Sequence, residues 1–164
     1  MKAYLASFFF DKFGYEGTKK LADDIRKAVP NIDLYVPQEN DEINDKEAND
    51  STITAQAIYD ADTSKLLASQ VLIACIDGVE IDSGVACEIG VFAGCLDTLA
   101  QLKLRHTPKY IIALYSDMRR NGTGDNRMYK NLYVKGAIEK YGAVVSTTEE
   151  VTMLLSKLYN EYYK

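Results

Sequence analysis

The apolar and polar positions of the chain switch repeatedly between a two-residue and a helical period. Lys2 to Phe10 is an apolar run rich in aromatics and predicts a first strand, with Phe8 and Phe10 on one face and Phe9 on the other. Gly14 and Gly17 punctuate the loop expected after it. From Thr18 to Val29 the spacing becomes helical, through Leu21, Ile25 and Val29 with charges between, and Pro30 stops it. Ile32 to Val36 predicts a short strand closed by Pro37. Gln38 to Ser51 is the most polar stretch, with Glu39, Asp41, Glu42, Asp45, Glu47 and Asp50 opposed only by Lys46. It reads as a solvated loop or as a lid over a site, since long loops in compact domains often carry function. Ile53 to Leu67 predicts a helix, and Val71 to Ile76 is the continuous apolar run of a buried parallel strand. After a loop from Asp77 to Asp82 come an apolar helix, Gly84 to Leu99, and a second buried strand, Tyr110 to Tyr115. The polar loop Ser116 to Lys130 leads to a helix, Asn131 to Tyr141, a last strand, Ala143 to Ser146, and an amphipathic helix, Thr148 to Tyr163.

This order is β-α-β-α-β-α-β-α-β-α. Strict alternation implies a parallel sheet with helices on both faces. The fold class expected is therefore α/β, a flavodoxin-like doubly wound five-stranded parallel sheet, with residues 1–164 forming one domain. Ligands of such folds bind beyond the carboxyl ends of the strands. The loops to read for chemistry are thus Ser7 to Gly17, Pro37 to Ser51, Asp77 to Asp82 and Ser116 to Lys130.

Composition then narrows the chemistry. The 164 residues hold 24 acids and 19 bases, a net charge of −5, which argues against a nucleic-acid surface. With one histidine, His106, and three cysteines, Cys75, Cys87 and Cys95, that lack metal spacing, no metal site is expected. Odd, unpaired cysteines suit a reducing cytosol, and no apolar stretch has the length of a signal peptide or a membrane span. The cytoplasm is the expected compartment. Neither GxGxxG after the first strand nor GxxxxGK[ST] is present, which argues against a dehydrogenase or a P-loop enzyme. Any chemistry must lean on carboxylates, amides and hydroxyls.

The richest segment is Asp77-Gly-Val-Glu-Ile-Asp-Ser-Gly-Val-Ala-Cys-Glu-Ile-Gly. Glu88 is the only carboxylate between Ser83 and Leu96, on a helix otherwise uncharged there. Such a group must be paired, protonated or turned to a cavity, because an unpaired buried charge is costly. Offsetting the helix dipole is its plainer role, although Glu88 falls in the second turn, where that effect fades. Asp82 or Ser83 caps the same helix on the plain reading. Together, carboxylates at a strand edge can also build a glycosyl-transfer site, one attacking or stabilising the anomeric carbon and one protonating the leaving group. Gly84, Gly90 and Gly94 weaken this helix in isolation, so they mark close approach to the sheet, a ligand or a neighbouring subunit. Each of Phe8, Phe9 and Phe10 is read as core, or as a stacking platform for a ring. Arg119 and Arg120 are read as solvent-facing ion pairs, a subunit contact or a phosphate contact.

Four pieces of the chain resemble the nucleoside 2-deoxyribosyltransferases. They are Tyr4-Leu-Ala-Ser-Phe-Phe, Asp62 in Tyr59-Asp-Ala-Asp-Thr-Ser-Lys-Leu-Leu, Asp82-Ser-Gly-Val-Ala-Cys-Glu88-Ile-Gly, and Asn131-Leu-Tyr-Val-Lys-Gly. The third, like the family's Asp-x-Gly-x-x-x-Glu-[Ile/Leu/Val]-Gly, is the most specific. The resemblance implies exchange of the nucleobase on a 2′-deoxyribonucleoside with retention, without metal or organic cofactor. It implies that Glu88 is the nucleophile, that Asp62 and Asp82 hold and protonate the departing base, and that Tyr4 orients Glu88. Asp77 would assist Asp62, and Phe8 and Gly84 would line the substrate. Asn131 would reach a neighbouring subunit's site in a dimer or hexamer. The partners implied are a deoxyribonucleoside and a free nucleobase. Two other readings stay open: a hydrolase of deoxynucleosides or their 5′-monophosphates, and a non-catalytic nucleotide-binding sensor.

Overall fold

The computed structural model describes residues 1–40, 53–121 and 130–163. Five parallel strands, β1 (Lys2–Ala6), β2 (Asp33–Tyr35), β3 (Val71–Cys75), β4 (Tyr110–Leu114) and β5 (Gly142–Val145), form one sheet in the order β2-β1-β3-β4-β5. Among the described residues, five α-helices cover it: α1 (Lys12–Ala28), α2 (Ala55–Ala68), α3 (Ser83–Gln101), α4 (Leu132–Tyr141) and α5 (Thr148–Tyr162). Short 3₁₀ turns occupy Pro37–Glu39 and Met118–Asn121. The doubly wound fold is as expected, and the strand order reverses between β1 and β3, where such sheets bind ligands.

Alternation along the strands splits the core in two. Ala3, Leu5, Ile73, Ile112 and Leu114 face α1 and α5, whereas Tyr4, Ala6, Leu72, Ala74, Ile111 and Ala113 face α2, α3 and α4. The long apolar helix α3, whose 19 residues meet the length and composition of a membrane span, lays Val85, Ile89, Phe92, Ala93 and Leu96 on the sheet instead.

The first strand is shorter than its apolar run implies. It stops at Ala6, and α1 begins at Lys12, capped by the Asp11 side chain, which accepts from Gly14 N at 2.8 Å. Gly14 and Gly17 therefore lie inside a helix rather than in a loop. Gly14 is required by proximity, since a Cβ there would fall 2.5 Å from the Phe8 carbonyl oxygen. The aromatics beyond β1 turn outward. Phe8 is 42% and Phe10 74% exposed, so neither packs in the core, and their rings meet edge to face at 5.5 Å. Most of the acidic stretch read as a loop or lid, residues 41–52, lies outside the described residues, as do residues 122–129 of the later polar loop.

Candidate active site

Two tyrosines and two carboxylates define the site. Tyr4 on β1 and Tyr35 on β2 are register partners in adjacent strands, so their side chains emerge on the same face. Their rings lie 5.4 Å apart. Each hydroxyl holds one carboxylate: Tyr4 donates to Glu88 Oε1 from below α3, and Tyr35 donates to Asp62 Oδ1 of α2 at 2.8 Å. Asn40, after the 3₁₀ turn, donates from Nδ2 to the Tyr35 hydroxyl at 3.0 Å. The helical spacing that hides Glu88 in an apolar face thus turns it toward the strands that supply its partner.

Burial governs the acidities. It pushes Glu88 up to about 7 from an ordinary 4.5, the Tyr4 hydrogen bond opposes this, and the charges of Asp62 and Asp82 add to it. Burial also raises Asp62, against the Tyr35 hydrogen bond. Tyr4, fully buried and beside Glu88, is held well above the ordinary tyrosine range. Burial lifts Tyr35 to about 12, so it remains a donor at neutral pH. Burial thus raises both carboxyl groups of the site, Glu88 as far as about 7.

The other residues singled out from the sequence have definite places. Asp82 caps α3, its Oδ1 accepting from Gly84 N at 2.9 Å and Val85 N at 3.1 Å. Gly84 suits this cap, because a Cβ there would lie 3.1 Å from the same oxygen. Asp77 is engaged elsewhere than at Asp62: it accepts from Ser116 N at 2.7 Å, Ser116 Oγ at 2.6 Å and Asp117 N at 2.9 Å, tying the loop after β3 to the loop after β4. Asn131 caps α4 through Tyr133 N at 3.0 Å and Val134 N at 3.3 Å, and stands exposed beside exposed Leu132 and Tyr133. Arg119 pairs with Asp117 at 2.5 Å, and Arg120 donates to Ser146 Oγ at 2.7 Å. Among the described residues, no group of three or more His, Cys, Asp or Glu is placed to hold a metal ion.

A crevice of about 650 Å³ opens at the β1/β3 reversal, between the start of α1 and the 77–82 loop. Phe8 and Phe13 line it, with the hydroxyls of Ser7, Thr18, Ser116 and Thr148. Asp11, Asp77, Glu80 and Asp82 line it too, and no Lys or Arg is among its described lining residues. A second cavity, about 590 Å³, lies beside α4 and contains the cations Arg120, Lys130 and Lys135. These are already engaged. Buried Lys130 donates to the Gly78 carbonyl at 2.5 Å and sits over the Tyr115 ring at 4.8 Å, and Lys135 pairs with Glu139.

Sequence reasoning missed Tyr35 and Asn40. The signal for Tyr35 was present: two-residue alternation places it opposite Leu34 and Val36. Only the register with β1, however, sets it beside Tyr4.

The family model described as Nucleoside 2-deoxyribosyltransferase matches residues 3–145. The chain belongs to the nucleoside 2-deoxyribosyltransferase family. A conserved protein from Enterococcus faecalis V583 is similar over 96% of this chain and 98% of its own, at 33% identity and a TM-score of 0.80. A 2-deoxyribosyltransferase from the psychrotolerant bacterium Bacillus psychrosaccharolyticus shares the fold, with 16% identity, 93% and 90% coverage and a TM-score of 0.59. So does a CMP N-glycosidase from Clostridium botulinum, with 15% identity, 97% and 99% coverage and a TM-score of 0.54. No curated protein matches the chain. The matched span includes all four residues of the Tyr4–Glu88 and Tyr35–Asp62 pairs.

Proposed function

We propose that the protein exchanges the nucleobase of 2′-deoxyribonucleosides through a deoxyribosyl group carried on Glu88. The observation that carries this reading is the Tyr4–Glu88 hydrogen bond: a shielded carboxylate, aimed by a buried hydroxyl, on the segment most specific to the family. One oxygen of ionised Glu88 attacks the anomeric carbon. The C–N bond breaks with its electron pair passing to the base, and protonated Asp62 delivers a proton to a ring nitrogen of that base. In the second half a new base attacks the same carbon, Glu88 leaves, and the incoming base returns a proton to Asp62. Two displacements give retention. Asp82, at the crevice beside the site, faces the sugar. Exposed Asn131 is proposed to complete a neighbouring copy's site in a homo-oligomer.

The crevice favours nucleosides over their 5′-monophosphates. Four acidic side chains, with no cation among the described lining residues, would repel a phosphate dianion, whereas hydroxyls and carboxylates suit a neutral 5′-hydroxyl. Incubation with 2′-deoxyinosine and adenine, followed by chromatography, should yield 2′-deoxyadenosine and hypoxanthine. The matching 5′-monophosphate should react at least about tenfold more slowly, the cost of roughly 1.4 kcal/mol of repulsion. Hypoxanthine with free deoxyribose and no new nucleoside would make the protein a hydrolase. Binding of nucleoside with no turnover, unaltered in Glu88→Gln, would make it a sensor.

A further inference from the structure

We propose that Tyr35, braced by Asn40, is a positioning residue that pins one oxygen of Asp62 and thereby selects the other, Oδ2, to carry the proton to the departing base. The inference rests on the base-exchange reading and deepens it.

Tyr35 Oη donates to Asp62 Oδ1, and Oδ2 accepts no hydrogen bond among the described residues. A carboxyl oxygen that already accepts a hydrogen bond is the poorer proton carrier, so the acid form places its proton on the unengaged oxygen. The Tyr35 hydroxyl cannot swing away, because it accepts from Asn40 Nδ2 while its ring lies against Tyr4. Tyr4 and Tyr35 are register partners, so the sheet itself fixes the spacing between the group aimed by one and the group aimed by the other. Nucleophile and acid are thereby held by a matched pair of tyrosines on neighbouring strands. Among the described residues, the charged and titratable groups around the pair are Glu88 from α3, Tyr4 from β1 and Lys65 of α2, whose Nζ lies 5.8 Å from the Tyr35 ring centroid.

The step is balanced without a further reactant. The O–H bond of Asp62 Oδ2 breaks, leaving its electron pair on that oxygen, as the lone pair of a ring nitrogen takes the proton, and the electron pair of the broken C–N bond passes to the departing base. Tyr35 keeps its own proton throughout. Its contribution is geometric, and is felt only when the leaving base needs a proton.

That last property supplies the test. Tyr35→Phe and, separately, Asn40→Ala are compared with wild type on two donors, 2′-deoxyinosine and N7-methyl-2′-deoxyguanosine, with one acceptor base. The methylated purine already carries a positive charge and leaves without protonation. Tyr35→Phe should lower kcat on deoxyinosine by about 10- to 100-fold, with KM changed by less than about threefold, and should stay within about twofold of wild type on the methylated donor. Asn40→Ala leaves the tyrosine in place and should show the same pattern with a smaller loss. Equal losses on both donors would reduce Tyr35 to a packing residue and overturn the proposal, as would no loss on either. A wild-type protein inactive on both donors overturns the base-exchange reading and this assignment with it. An active wild type with the wrong variant pattern overturns this assignment alone.

Discussion

Replacing Glu88 by alanine is expected to lower kcat/KM for base exchange by at least about 10⁴-fold, while binding of the deoxynucleoside changes little. Among the described residues the neighbouring carboxylates are held differently, Asp62 Oδ1 accepting from Tyr35 and Asp82 Oδ1 capping α3. Glu88→Gln should be equally inactive, since a neutral amide neither attacks nor stabilises a developing cation, but the folded protein should be more stable. A carboxyl raised to about 7 in the native state keeps its proton between pH 4.5 and 7, where the unfolded chain has released it. The native state then binds more protons, so stability falls as pH rises through that window, and the loss is complete above about 7. The full difference is of order 3 kcal/mol, and partial solvent access brings it to about 1–2 kcal/mol. Urea unfolding should therefore show Glu88→Gln gaining about 1–2 kcal/mol at pH 8 and much less at pH 4. A variant inactive and no more stable at pH 8 would mean that Glu88 carries no strain of burial.

Asp62→Asn should reduce kcat on 2′-deoxyinosine by about 10²–10⁴-fold, the usual worth of a positioned general acid. The amide preserves the size of the side chain and still accepts from Tyr35 through its oxygen, so the fold is undisturbed and the loss reports the missing proton. The effect should shrink as the leaving base becomes better able to depart unaided, and should nearly vanish for an N7-methylated purine. Single-turnover measurements across such a series separate this from a binding defect. A loss that ignores the leaving base would place Asp62 in substrate binding rather than in proton transfer. The Tyr35→Phe loss should fall inside the Asp62→Asn loss, because the tyrosine acts only through that carboxyl.

How much of this could be read from the chain differs from element to element. The alternation of apolar strands with helical repeats specifies the doubly wound sheet, and Glu88 stands out as the one carboxylate between Ser83 and Leu96 of an apolar helix. The boundaries near β1 escaped because local pattern and tertiary context disagree. Phe8 to Phe10 continue an apolar run, yet the strand ends where its last partner does, at the Ala6–Ala74 pair. Phe13 and Tyr15 are exposed, and Gly14 and Gly17 sit within the helix, so α1 shows no helical signature until Thr18. Asp77 illustrates a different limit. An acidic residue after a buried strand looks catalytic, but its partners are the Ser116 N–H and hydroxyl and the Asp117 N–H, 39 and 40 positions away, which only the folded sheet brings near. Tyr35 escaped for the same reason: its partners are set by the β1–β2 register and by a helix 27 residues along the chain.

The central claim is that a deoxyribosyl group rests covalently on Glu88 between the two half-reactions. Rapid acid quenching of the protein with excess 2′-deoxyinosine and no acceptor base, followed by intact-mass and peptide mass spectrometry, tests it directly. The expected result is a mass increase equal to one deoxyribosyl residue, confined to the peptide bearing Glu88, absent in Glu88→Gln and discharged when adenine is added before the quench. Turnover with no label, or a label on another residue, would contradict the assignment of Glu88 as the nucleophile.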